Sequence, residues 1–189
     1  MEFKEQELVF QDDKIVMKEH SDQVVMMKWE DEIMKKSAEY ICQSKGDILE
    51  IGFGMGICSD YIQAQGVNSH TIVEIHPQII EKLNTWASNK NNVTIIEGDW
   101  VDIVNDTKYD GIFLDTFWEF NGDRYKDFVL AKSNDGANVT YWNNYEKEDN
   151  GYNFDSISFE KVAVNPDDNP YTDIKDHYYM PKVKINGDN

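Results

Sequence analysis

The sequence predicts a doubly wound α/β fold: a mainly parallel, Rossmann-like sheet closed by a C-terminal antiparallel hairpin. Three observations carry the prediction. From about residue 47, apolar runs of strand length alternate with amphipathic stretches of helical period, the pattern of a parallel sheet with helices on both faces. The first run ends in a glycine loop, Gly52-Phe53-Gly54-Met55-Gly56. Acidic residues then close the next three runs (Glu74, Asp99 and Asp115), where a doubly wound sheet binds its ligand.

The chain opens with apolar runs at residues 7–10 and 14–17 around Gln11-Asp12-Asp13, which predicts a small hairpin. Over residues 25–43, Met26, Trp29, Ile33, Met34, Ala38, Ile41 and Cys42 recur at three- and four-residue steps, one face of an amphipathic helix. The period then changes. Residues 47–51 make a short buried strand, and a helix over 57–65 follows the glycine loop. A second strand, 71–75, leads through His76-Pro77 into a helix over 78–89; Pro77 suits a first helical turn, where its missing N–H costs nothing. Residues 93–96, 109–115 and 137–142 read as further strands, and 157–164 and 178–185 as the closing hairpin. This order assigns residues 1–46 to a hairpin and helix covering the site and 47–189 to the core, together one compact domain.

The 189 residues carry a formal charge of −18. Such a field repels phosphate backbones and anionic membrane surfaces, so neither nucleic acid nor membrane is expected as a partner. It draws in cations, including basic small molecules and Arg-rich peptides, although acidity also serves solubility alone. No apolar run approaches the length of a membrane span, and the charged start Met1-Glu2-Phe3-Lys4-Glu5 is unlike a signal peptide, so a cytoplasmic location is expected. The two cysteines, Cys42 and Cys58, lack metal-site spacing and read as ordinary semi-buried thiols; no metal site is expected.

The loop selects among ligands. A dinucleotide site calls for GxGxxG with the pyrophosphate at a helix N-terminus. This chain has GxGxG, with Glu50 inside the strand end. S-Adenosylmethionine, which has no phosphate, fits better. Glu50 can take its ammonium, Glu74 both ribose hydroxyls, and Asp99 the adenine amino group. Gly54 leaves the backbone close to the ligand. Two other readings stay open here: ordinary strand-end carboxylates, and a variant nicotinamide site.

Asp115 stands beside that pocket, with Thr116-Phe117-Trp118-Glu119 to roof an acceptor site and Trp29-Glu30 as another wall. A carboxylate beside an aromatic ring suits a planar cation such as guanidinium, through paired hydrogen bonds and a stacked face. Methylating a guanidinium nitrogen also requires a proton acceptor, since the cationic group has no free lone pair. Asp115 fits as base and Glu30 as clamp. Glu30 by itself reads equally as a solvated helix residue.

The segments "VMMKWEDEIMKKSAEYI", "ILEIGFGMGICSDYIQ", "HTIVEIHPQIIEKL", "GDWVDI", "YDGIFLDTFWE" and "VTYWN" resemble the group of class I S-adenosylmethionine-dependent methyltransferases that holds guanidinoacetate N-methyltransferase and the fungal enzymes acting on the internal guanidino nitrogen of arginine. The likeness runs over about residues 7–179, and the ending "DHYYMPKVKI" also resembles the family's closing strand with its Tyr-Tyr. It implies that Gly52, Phe53, Gly54, Met55, Gly56, Ile57 and Cys58 line the methionine part of the cofactor. Glu74, with Ile75 and His76, would hold the ribose, and Gly98 and Asp99 would border the adenine. Met26 and Met34 would pack near cofactor and substrate, Glu30 and Asp115 would hold the guanidino group, and Thr140 and Tyr141 would contact the substrate.

Two departures from the family pattern fall on the acceptor side. The chain is short between Asp115 and Val139, and after Asn143 it lacks the pattern of the family's usual helix. The leading expectation is an N-methyltransferase acting on a guanidino group, that of a guanidinoacetate-like small molecule or of arginine. The same fold acting on another acceptor, such as a protein arginine (an arginine-bearing peptide) or an amine, and a catalytically silent cofactor-binding partner subunit are the alternatives. Trp142, Tyr145, Tyr152 and Phe154 either form an interface or cover the sheet, which leaves the oligomeric state open.

Overall fold

Near-continuous apolar runs become strands buried on both faces. In the computed structural model, β4 (Asp47–Ile51), β5 (Ser69–Glu74) and β7 (Tyr109–Leu114) are buried almost throughout, as parallel strands between two helical layers must be. The model describes residues 2–20, 23–103, 106–117, 122–143, 148, 150–166 and 174–186, with the backbone alone at 122 and 123. With β6 (Val93–Glu97), β8 (Ser133–Tyr141), β9 (Ile157–Ala163) and β10 (His177–Lys184), these strands form a seven-stranded sheet of order β6-β5-β4-β7-β8-β10-β9. The first five in that order run parallel, and β10 is antiparallel to both β8 and β9. The doubly wound expectation and its closing hairpin are both met. The chain moves outward from β4 through β5 to β6, then returns to place β7 on the other side of β4. That reversal opens a crevice at the carboxyl ends of β4 and β7.

Helices α1 (Asp31–Ile41), α2 (Ile57–Ala64) and α3 (Pro77–Ala87) cover one face. Met34, Ala38 and Ile41 of α1 and Ile62 of α2 pack on Ile48 and Phe113, and Ile79 and Leu83 of α3 pack on Ile72. The other face is built from Leu49, Ile51, Ile112, Leu114, Val139 and Tyr141, covered by Trp100, Tyr125, Val129, Tyr152 and Phe154. Tyr125 and Val129 belong to α4 (Gly122–Lys132), a helix the sequence reading passed over.

The N-terminus holds a correction. The expected hairpin, β1 (Leu8–Phe10) with β2 (Lys14–Met17), is present. However, the expected helical start at residue 25 is a third strand, β3 (Val24–Met27), antiparallel to β2. A 3-10 turn, Lys28–Glu30, follows, and α1 begins only at Asp31. The β-branched pair Val24-Val25 suits a pleated strand, and pairing to β2 overrides the helical spacing of Met26 and Trp29.

The surface aromatics sort themselves as cover. Tyr152 and Phe154 are buried, and Tyr152 stands edge-on to Tyr141 (4.3 Å between centroids) and to Tyr125 (5.0 Å). Trp142 lies between Trp29 and Tyr178. Tyr145 lies outside the described residues. Cys42 and Cys58 are fully buried rather than semi-buried. Among the described residues no helix is long and apolar enough to cross a membrane. Tyr152→Ala should cost about 3–4 kcal/mol, the usual loss for an aromatic core side chain. Urea denaturation reads this directly, and a loss under about 1 kcal/mol would show that Tyr152 does not close the core.

Candidate active site

Hydrogen bonding between strand ends brings three carboxylates to the crevice. Ile51 is in register with Val73 on one side and Leu114 on the other. The residues next to this row, Glu50, Glu74 and Asp115, therefore gather around the glycine loop. Gly52, Gly54 and Gly56 all have left-handed backbone, with φ of 91°, 53° and 78°. A Cβ on Gly52 would come within 2.0 Å of the Asp115 carbonyl, and one on Gly54 within 2.5 Å of Met26 Sδ. The expectation that Gly54 needs a bare backbone thus acquires a protein-side reason. Met26 sits on the loop and accepts the Met55 N–H at 3.1 Å.

Each carboxylate is handled differently. Glu74 is turned onto the loop: Phe53 N–H donates to Oε2 at 2.9 Å, and the Ile75 and His76 N–H groups donate to Oε1 at 2.9 and 2.8 Å. Burial still raises its proton affinity, against these amide bonds. Glu50 is fully enclosed and bonded through Oε2 to Ser59 and His70. Asp115 lies on the crevice floor. Some of its surface is open, yet protein surrounds the carboxyl closely. Its pKa is pushed up to about 7, by burial first and then by the charges of Glu50 and Glu74.

The flanking residues fall into place around these groups. Phe53 is buried against Trp86, and Ile57 and Cys58 begin α2 beneath the loop. Met34 is fully buried in the cluster that also holds Met26 and Phe113. His76 caps α3, accepting the Gln78 N–H, and its Nε2 lies 2.8 Å from the Gln6 carbonyl. Phe3 packs against both His76 and Phe117, so the N-terminal turn lies over the ends of β5 and β7. The Gly98 N–H donates to the Glu74 carbonyl, and Asp99 accepts the Val101 N–H. Both stand half-buried at the edge strand.

On the acceptor side, Glu30 is buried and Oε1 accepts the Met27 N–H at 2.7 Å. The Tyr178 hydroxyl accepts the Asn143 N–H at 2.7 Å, and it feels the charges of both Asp115 and Glu30. Tyr178 is thus a residue that senses both proposed carboxylates; the Tyr-Tyr of the closing strand was the available signal. The buried Thr140 hydroxyl donates to the Pro181 carbonyl at 2.6 Å. The Tyr141 ring packs with Tyr152, while its carbonyl accepts from Tyr178. Trp118 and Glu119 lie outside the described residues. Among the described residues no cluster of three metal-ligating side chains occurs.

The sheet order, glycine loop and strand-end acids define a protein of class I methyltransferase architecture. The N-methyltransferase NodS of Bradyrhizobium japonicum WM9 shares the fold, with a TM-score of 0.65 at 12% identity over 84% of this chain and 97% of that one. Its complex with S-adenosylhomocysteine gives 0.64 at 11% identity, over 83% and 87%. The family model for guanidinoacetate N-methyltransferase matches residues 5–140. Protein arginine N-methyltransferase 2 of Saccharomyces cerevisiae is 38% identical over 136 residues, 65% of this chain and 32% of that protein. Its namesake in Candida glabrata is 35% identical over 149 residues, 72% and 36%. This chain belongs to the guanidinoacetate N-methyltransferase family, and it spans about a third of the length of these curated relatives.

Gly54→Ala should lose about 1–3 kcal/mol of stability through left-handed strain and overlap with Met26. Met26→Ala in the same background should return part of that loss, although it destabilises when made alone. Strictly additive losses in this double-mutant cycle would mean that strain alone excludes a side chain.

Proposed function

We propose that this chain transfers a methyl group from S-adenosylmethionine to a guanidino nitrogen, with Asp115 as general base and Glu30 as clamp. The observation that carries the proposal is the Asp115 carboxyl: it lies at the sheet's switch point, beside the glycine loop, with its pKa pushed up to about 7. The family's name and those of the curated relatives share one chemical group, the guanidinium of guanidinoacetate or arginine.

The residues fit the cofactor. The Glu50 Oε1 atom is buried with no hydrogen-bond partner, as suits an incoming ammonium. The loop residues Gly52 to Cys58 line the methionine portion, and Glu74, Ile75 and His76 hold the ribose. Gly98 and Asp99 border the adenine. Met26 and Met34 close the cofactor side, while Trp29 walls the acceptor. Residues 1–46 act as the cover. When bound, the cofactor supplies a methyl group activated by the sulfonium. Glu30 holds the guanidinium plane in line with that methyl group. Asp115 accepts the proton that leaves as the new N–C bond forms, so the methylated product departs still carrying one positive charge. The net charge of −18 draws the cationic acceptor toward the protein.

Calorimetry should show S-adenosylhomocysteine binding, weakened by about 1.5–3 kcal/mol in Glu74→Ala through lost charge-assisted hydrogen bonds. Binding of NADH without S-adenosylhomocysteine would sink the cofactor assignment.

Asp115→Asn should lower turnover on guanidinoacetate or an arginine peptide by about 10²–10⁴-fold, the range for a lost general base, with little change in cofactor affinity. The pH profile supplies a signature. A base must be deprotonated to act, so kcat/KM should rise with pH through about 7, the Asp115 value. A bound guanidinium places positive charge beside the carboxylate and lowers its pKa, so the rise in kcat should sit at lower pH. Near-normal turnover of Asp115→Asn on either acceptor rules out this base. Activity on amines alone replaces the guanidino reading.

A further inference from the structure

Glu50 hangs from β4 with its carboxylate fully enclosed, and its two oxygens have different surroundings. Oε2 accepts the Ser59 hydroxyl of α2 at 2.5 Å and faces His70 Nε2 of β5 at 2.9 Å. All three residues are fully buried. The Gln63 amide nitrogen reaches the other ring nitrogen, His70 Nδ1, at 3.2 Å. An amide N–H donates, so Nδ1 accepts, and a neutral ring then carries its proton on Nε2, aimed at Glu50. Trp86 stands edge-on to the ring, 6.2 Å between centroids. Oε1, by contrast, is out of solvent and has no hydrogen-bond partner. The Cys58 thiol touches the carboxylate, but a thiol is a weak donor.

Leaving a buried carboxylate oxygen unmet costs free energy. The cluster is therefore arranged around a donor that the described residues do not supply. Glu50 directly precedes Ile51-Gly52 at the head of the loop, and its charge is felt at Asp115. A neutral donor would satisfy the oxygen but leave Glu50, Glu74 and Asp115 crowding one another; an ammonium relieves both.

We propose that Ser59 and His70 are positioning residues that pin one oxygen of Glu50 and thereby present the other to the ammonium of the cofactor's methionine portion. The pair makes the site selective for ligands that carry an amino-acid end. This inference rests on the assignment of the loop to S-adenosylmethionine.

The test compares S-adenosylhomocysteine with 5′-methylthioadenosine, which shares the adenosine and thioether but lacks the amino-acid end. Both are titrated calorimetrically into the full chain and into His70→Leu, His70→Gln and Ser59→Ala, with thermal melts alongside. The parent should prefer S-adenosylhomocysteine. His70→Leu and Ser59→Ala should each cut that preference about 10-fold, the worth of one charge-assisted hydrogen bond, with methylthioadenosine affinity unchanged. His70→Gln, which keeps an N–H toward Glu50, should restore most of the preference. Ser59→Ala removes a single buried oxygen and carries the test if His70→Leu does not fold. A purely structural cluster weakens both ligands alike; equal losses, or an unchanged preference, overturn the proposal. A parent that binds neither ligand removes the cofactor reading and this inference with it.

Discussion

Like charges gathered in a place that excludes water are the constraint on which the rest of the site depends. Strand pairing in the order β5-β4-β7 brings Glu50, Glu74 and Asp115 to one crevice, and their ionised forms repel one another there. The protein handles the three in three ways. Glu74 is held by backbone amides of the loop and of the turn into α3. Glu50 is held by a hydroxyl and an imidazole from neighbouring elements. Burial raises the proton affinity of Glu74 and Asp115 alike, and Asp115, to which the described residues supply no comparable donors, is pushed up to about 7. A proton-accepting group near neutrality therefore follows from burial beside two like charges. It also costs stability. A carboxyl that binds its proton more tightly folded than unfolded weakens the fold as pH rises from the ordinary carboxylate range toward 7.

The glycine loop connects those solutions. Gly52 lets the chain pass the Asp115 carbonyl, where a Cβ would collide. The loop then donates the Phe53 amide to Glu74 and the Met55 amide to Met26. One short segment thus ties the end of β4 to the end of β5 and to the N-terminal β3. The cover is coupled to the floor by that same contact: movement of β3 would release Met26 from the loop.

The parts legible in the sequence were those where one physical demand dominates. Strands 47–51 and 109–115 stood out because both faces are buried, and the loop stood out because left-handed backbone selects glycine. Elsewhere two demands compete. Val24-Val25-Met26-Met27 satisfies a strand and a helical stripe alike, and only pairing with β2 decides. Helix α4 follows residues outside the described set and begins at Gly122-Asp123-Arg124, so its one apolar stripe, Tyr125, Phe128 and Val129, is short. His70 falls just before the strand expected at 71–75, and its meaning comes from Glu50 and Ser59, elsewhere along the chain. Thr140 shows the same dependence on distant partners: its hydroxyl donates to the Pro181 carbonyl of the adjacent strand.

Between β8 and β9 a departure from the family's pattern is expected from the sequence, and the packing there is aromatic. No helix occurs among the described residues between β8 and β9. Instead Tyr152 and Phe154 drop onto Tyr141 and Tyr125 and seal the face. Rings cover a large area per residue, so a short segment can cover apolar surface that a helix would otherwise hide. The same rings come close to the chemistry, since Tyr152 feels the charge of Asp115. Across the crevice Trp142 bridges Trp29 and Tyr178, and Tyr178 feels both Asp115 and Glu30. Tyr152 of the sheet cover and Tyr178 of the closing strand therefore feel the same carboxyl. A change in the sheet cover is thus a change in the surroundings of Asp115, the carboxyl proposed as the base.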